Sequence, residues 1–170
     1  MAKKLTFDVL GPYEVATSPN SRVITKEEGR AFFRGNPHLR GRVGAYVFGV
    51  RSGGGITPVY VGRSTRPYDK ECFTADKALK YTIGLSRYQK GTPVLFFVAS
   101  PRKRGRPNAK VIGDLEDFLI QNAKARNAEL VNKIGAKEAN WSIRGALRST
   151  SQGPPPKPAR EFKRMMGFQK

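Results

Sequence analysis

The chain has 170 residues, 38% of them hydrophobic and 26% charged, which suits one folded domain with a real core. Thirty-two Lys and Arg face 13 Asp and Glu, a formal charge of +19, and that balance predicts a polyanionic partner, nucleic acid first. One cysteine, Cys72, and one histidine, His38, exclude an internal disulfide, a cysteine-built zinc site and a relay of two histidines.

The longest apolar run, Val94–Ala99, is far too short to span a membrane. The start, MAKKLTF, lacks the apolar core of a signal peptide, so a cytoplasmic location is expected, with association to the nucleoid compatible with it. Binding to an anionic membrane surface needs a basic amphipathic helix, and none stands out. Charge alone gives salt-sensitive affinity without sequence preference.

Leu5–Leu10 reads as a short strand stopped by Gly11-Pro12, with turn-rich, irregular chain from Gly11 to Ser21. Thr25 with Glu28 forms a capping box that opens a helix through about Phe33, closed by Gly35-Asn36-Pro37. His38 lies in the connector among Arg34, Arg40 and Arg42 and takes no role. Residues 1–42 are read as an N-terminal extension packing on the core that follows.

That core opens on VGAYVFGVRSGGGITPVYVGRS, Val43 to Ser64. Two apolar runs, Val43–Val50 and Pro58–Gly62, flank the glycine-rich loop Arg51–Thr57 and predict a β-hairpin. Tyr46 and Tyr60 then lie on neighbouring strands and can project from one face. Gly62 lets the backbone turn or approach a ligand closely where the strand ends.

A helix follows from about Asp69 to Leu85, with Cys72, Phe73, Ala75, Ala78, Leu79 and Ile83 as apolar positions. Its polar side carries Arg66, Lys70, Lys77 and Lys80. VLFFVA, Val94–Ala99, is uninterrupted and predicts a strand buried on both faces. Pro101–Lys110 holds five basic residues, two prolines and a glycine, which predicts an exposed loop with Arg102, Lys103 and Arg104 on a phosphate backbone.

A second helix, about Val111 to Leu130, aligns Ile112, Leu115, Leu119, Ile120 and Ala123. At about 100° per residue Glu116 falls inside that stripe, with Asp114, Asp117 and Lys124 opposite. A carboxylate on a packing face is costly unless it pairs with a cation or holds a metal. Leu130–Arg148 reads as a closing segment with a short strand at Trp141–Ile143, Trp141 serving packing rather than base stacking. From Ser149 the chain is basic, and its prolines at 154–158 favour an extended polyproline stretch. This tail, 149–170, is expected to be mobile unless Phe162, Met165, Met166 and Phe168 dock.

Gly44-Ala45-Tyr46 and Tyr60-Val61-Gly62, then a helix, a third strand and a helix bearing one glutamate, resemble the GIY-YIG nuclease family over about Val43 to Asn132. Ala45 and Val61 stand where that signature has isoleucines. The phrases YVGRS, ECF, GTPVLFF and WSIRG are similar to those of bacterial and phage members. The resemblance implies an α+β fold, a small, mostly antiparallel three-stranded sheet flanked by helices, with the nuclease core at 43–148. It implies hydrolysis of DNA phosphodiester bonds, with double-stranded DNA as partner.

It further implies Tyr46 as general base, Tyr60 and Gly62 as the second half of the signature, and Glu116 as the ligand of Mg²⁺ or Mn²⁺. Asn132 matches the late asparagine, with Asn127 as a competing choice. Lys70 stands where the family has an arginine, eight residues after Gly62, and Arg66 is an alternative. No histidine follows the hairpin, so Tyr81 or Lys77 would have to substitute. Lys70, Arg66 and Arg63 would lower the Tyr46 pKa and clamp the phosphate, with Lys77 a further nucleic-acid contact. The alternative is a weak or inactive basic nucleic-acid-binding protein on the same fold, and a third reading is a basic structural or ribosome-associated protein. A small-molecule enzyme is disfavoured by the lack of a Walker loop, Rossmann glycine pattern or nucleophile elbow.

Overall fold

A computed structural model describes residues 4–101, 105–130, 132, 141–147 and 153–168. A strand as apolar as VLFFVA needs cover on both faces and a neighbour on each side. It becomes β4 (Thr92–Ala99), antiparallel to β2 (Gly44–Ser52) on one side and to β1 (Leu5–Glu14) on the other. β3 (Gly55–Ser64) pairs antiparallel with β2, and β5 (Trp141–Ile143) pairs parallel with β1. The strand order is β3-β2-β4-β1-β5.

The fold is therefore α+β, as expected, on a mixed sheet of five strands rather than three. β3-β2-β4 is the expected antiparallel set, and β1 and β5 extend it. β1 runs past Gly11-Pro12, where it was expected to stop, because a register slip between Leu10 and Tyr13 absorbs the interruption. The hairpin strands likewise advance into the glycine-rich segment and leave Gly53-Gly54 as a two-residue turn.

Alternation sorts the strand side chains into two cores. Ala45, Val47, Phe96 and Val98 face α4 (Ala109–Arg126) and α5 (Lys157–Met166). Tyr46, Phe48, Leu95 and Phe97 face α1 (Lys26–Gly35), α2 (Tyr68–Glu71) and α3 (Ala75–Ser86). α1 opens on the expected capping box: the Thr25 hydroxyl accepts from Glu27 N at 3.2 Å, and Glu28 Oε2 accepts from Thr25 N at 2.8 Å.

The helix expected over Asp69–Leu85 is broken by a turn at Cys72–Thr74. Its inner stripe is Ala78, Tyr81 and Leu85, while Leu79 and Ile83, expected inside, are 58% and 45% exposed. The reason is Tyr81, whose ring stacks on Phe48 at 4.5 Å between centroids and whose hydroxyl donates to the Cys72 carbonyl at 2.7 Å. A large aromatic with a satisfied hydroxyl outcompetes two aliphatics for that face.

Residues 157–168 do dock. Ala159, Phe162, Met165, Met166 and Phe168 are buried against the sheet. α5 is thus a basic amphipathic helix, unforeseen in the sequence, whose apolar face is occupied by the core. Trp141 is buried against Phe118, ring centroids 5.2 Å apart, which is packing. No helix among the described residues is long and apolar enough to cross a membrane.

Candidate functional site

The glycine–tyrosine pairs of the hairpin face each other in register: Gly44 opposite Ser64, Tyr46 opposite Gly62, Phe48 opposite Tyr60. Tyr46 and Tyr60 project from the same face, ring centroids 6.4 Å apart. Tyr46 lies flat over Gly62, where an added Cβ would overlap Cζ and Oη and sit 2.7 Å from Cε2. Gly44, at φ +144°, leaves room for the Tyr68 hydroxyl, which would be 2.7 Å from a Cβ there. Both glycines are explained by packing within the sheet.

The Tyr46 side chain is fully buried, and its hydroxyl lies near that of Tyr81 without reaching hydrogen-bond geometry with any described residue. Burial, then the nearby Cys72 and Tyr60, push its pKa far above that of a free phenol. Such a group keeps its proton and is closed to solvent, which is at odds with the expected role of general base. Tyr46→Phe is expected to change stability by no more than about 1 kcal/mol in a urea titration, because the deleted hydroxyl has at most a poorly aligned contact with Tyr81 to lose.

Tyr60 is buried as well, at 5% exposure, but its hydroxyl has a partner. It sits on β3, the sheet's edge, and Lys77 Nζ donates to its hydroxyl at 3.1 Å. Lys77 and Lys80 both stand over its ring, 5.6 and 5.4 Å from the centroid. Burial opposes the Lys77 charge, but the Tyr60 contact and the carboxylates Asp76 and Glu71 outweigh it, raising the Lys77 pKa. Glu71 also meets Arg66 at 4.0 Å. Sequence reasoning missed Glu71, because the Cys72–Thr74 turn removes the helical spacing that would have linked it to Lys77.

Glu116 approaches from the other face of β3. As expected it is turned inward, with its side chain 18% exposed, and Arg63 Nε lies 3.3 Å from its Oε2. Burial raises the Glu116 pKa, Arg63 and Lys77 pull it down, Asp117 adds to the rise, and the rise prevails. Lys77 is the weakest of these influences on Glu116, and the acid and the Tyr60–Lys77 pair stand on opposite faces of the edge strand. Gly113, one turn before Glu116, makes space for the guanidinium: a Cβ there would be 2.7 Å from Arg63 Nη1.

The two asparagines bind the open side of the edge strand. Asn127 Nδ2 donates to the Pro58 carbonyl at 2.9 Å and Asn132 Nδ2 to the Val61 carbonyl at 3.0 Å. Lys70 is not brought to the site: it is exposed, faces Asp69 at 3.9 Å, and lines a groove with α1. Arg66 is exposed near Glu71. Arg102, Lys103 and Arg104 lie outside the described residues.

Among the described residues no group of three or more His, Cys, Asp or Glu side chains is placed to hold a metal ion. One under-compensated carboxylate beside an exposed guanidinium still fits Mg²⁺ or Mn²⁺, since magnesium is commonly held by one or two carboxylates with substrate oxygens and waters. Comparison with protein-family models, with curated proteins and with solved structures returns no match.

Proposed function

We propose that the chain is a metal-dependent endonuclease of the GIY-YIG type, hydrolysing DNA phosphodiester bonds at the β3 edge. The observation that carries this reading is Glu116, an inward-turned carboxylate behind the edge strand, 18% exposed and paired with the Arg63 guanidinium. On a chain of +19, an acid retained among cations has a use beyond surface solubility.

The residues divide the work by chemistry. Arg63 offers a planar fork to a phosphate, and Lys77 a point charge. Lys77 donates to the Tyr60 oxygen, which would orient an attacking water by accepting its hydrogen bond, and the ammonium would offset negative charge that develops on the phosphate. Glu116 would hold Mg²⁺ or Mn²⁺, whose bound form supplies neutralisation of the phosphate and of the leaving oxygen. Tyr46, Gly44 and Gly62 position this edge without touching substrate. An intracellular, nucleoid-associated location accompanies this reading.

A second reading has its own observation. Arg63 already pairs with Glu116, so the acid is accounted for without a metal. The chain would then be a non-catalytic nucleic-acid-binding protein. Purified protein with supercoiled plasmid and Mg²⁺ or Mn²⁺ separates the two. Nicking by wild type well above a Glu116→Gln control supports hydrolysis; equal traces from both leave binding alone.

A further inference from the structure

α1 and α2 enclose an open groove of about 520 Å³ on the face of the sheet opposite α4 and α5. Lys26, Arg30 and Arg34 recur every fourth residue along α1 and form one wall. Arg40, held against the end of α1, and Lys70 on α2 also line the groove. At 1.5 Å per residue, Lys26 to Arg34 covers about 12 Å. One nucleic-acid strand carries a charge about every 3.4 Å of helix axis, so this row of three cations runs alongside about four successive phosphates.

Little within the groove neutralises these cations. Asp69 is its one lining carboxylate, and it is engaged by Lys70 at 3.9 Å and by the Gly41 N–H at 3.3 Å. Arg30 pairs with Glu27. Lys26 and Arg34 have no carboxylate partner among the described residues. The Arg40 Nε donates to the Phe33 carbonyl at 3.1 Å, which fixes the stem of that side chain. Phe33 and Phe73 form the floor but are 4% and 9% exposed, too little ring to stack a base.

We propose that this groove binds the phosphate backbone of nucleic acid, without base preference, as a contact surface separate from the Tyr60–Glu116 edge. Cations strung along the length of α1 suit a polymer better than a compact anion, which would need them to converge. The concave shape and buried rings offer nothing to insert into a lipid surface. This also gives Lys70 a place: it serves the groove, not the hydrolytic edge. The inference stands on charge and shape alone and does not depend on hydrolysis.

The test is fluorescence anisotropy with a labelled 20-bp DNA duplex in EDTA, over a range of salt. Binding without metal keeps the result independent of catalysis. Lys26→Ala/Arg34→Ala is compared with wild type and with the charge-matched Lys124→Ala/Arg160→Ala on the opposite helices, all checked for folding by thermal melting. The groove pair is expected to weaken binding at least tenfold at 100 mM salt. The slope of log K against log salt should become shallower by about 1.8, two contacts at 0.9 each. An unchanged slope, an equal loss in the control pair, or lost binding to phosphatidylserine vesicles with DNA binding intact would overturn the proposal.

Discussion

Gly62→Ala is expected to destabilise the protein by about 3 kcal/mol, at the upper end of overpacking costs. The added methyl would overlap the Tyr46 ring at Cζ and Oη. Relief by rotation is blocked. Tyr46 is fully enclosed, with Tyr60, Tyr68 and Phe97 rings at 6.4–6.5 Å around it. A domain of this size loses about 2–4 °C per kcal/mol, so the melting midpoint should fall by about 6–12 °C. Gly53→Ala is the control. An added Cβ there meets nothing within 4 Å, and the change should stay within about 0.5 kcal/mol. Equal midpoints for the two variants would mean that Tyr46 does not rest on Gly62. The companion Tyr46→Leu/Gly62→Ala should recover part of the loss, because contacting residues couple.

This packing explains why the hairpin was legible in the sequence. Glycine beside tyrosine on each strand is a local pattern with a local cause: one ring needs the space that one glycine leaves. VLFFVA was legible for a similar reason, since a run with no polar break can only be a strand with both faces covered. Thr25 and Glu28 declared the start of α1 because a capping box closes within four residues. The inward turn of Glu116 followed from helical period alone.

What the sequence left out depends on competition between distant groups. Leu79 and Ile83 fit a helical stripe, but Tyr81 took the inner face by stacking on Phe48 from another element. The prolines at 154–158 promised extended chain. Pro156 keeps that geometry, at φ −61° and ψ 155°, but the helix starts at Lys157, and the spacing of Phe162, Met165 and Met166 docks it where β1 and β3 offer a surface to cover. Lys70 sat at the right distance along the chain from Gly62, but the short α2 turns it toward α1. Glu71 and Lys77 flank a turn whose geometry no periodicity encodes. Charge partners were the least legible of all, because in a chain with 32 cations every carboxylate has many candidates.

Glu116→Gln is expected to abolish plasmid nicking, by at least about 100-fold, and at the same time to leave the fold as stable at pH 7 or make it more so. The 100-fold figure corresponds to about 2.7 kcal/mol, the scale of one lost charge-stabilising group in a transition state. The stability half follows from linkage. Burial holds the folded pKa of Glu116 above its ordinary value of 4.5 despite Arg63. The folded state therefore binds more protons than the unfolded state between the two pKa values, and wild-type stability falls as pH rises through that window. Below pH 4.5 the acid is protonated in both states and glutamine should match it. Above the raised folded pKa, glutamine avoids the cost of the buried charge, and the released Arg63, 55% exposed, returns to water. Urea titrations at pH 4 and pH 7 should show the variant's advantage growing with pH. Added Mg²⁺ should stabilise wild type and not the variant. A variant that loses both nicking and stability would make Glu116 a structural ion-pair partner of Arg63, while loss of nicking with stability kept marks an acid held in place at a cost to the fold for the chemistry at the sheet edge.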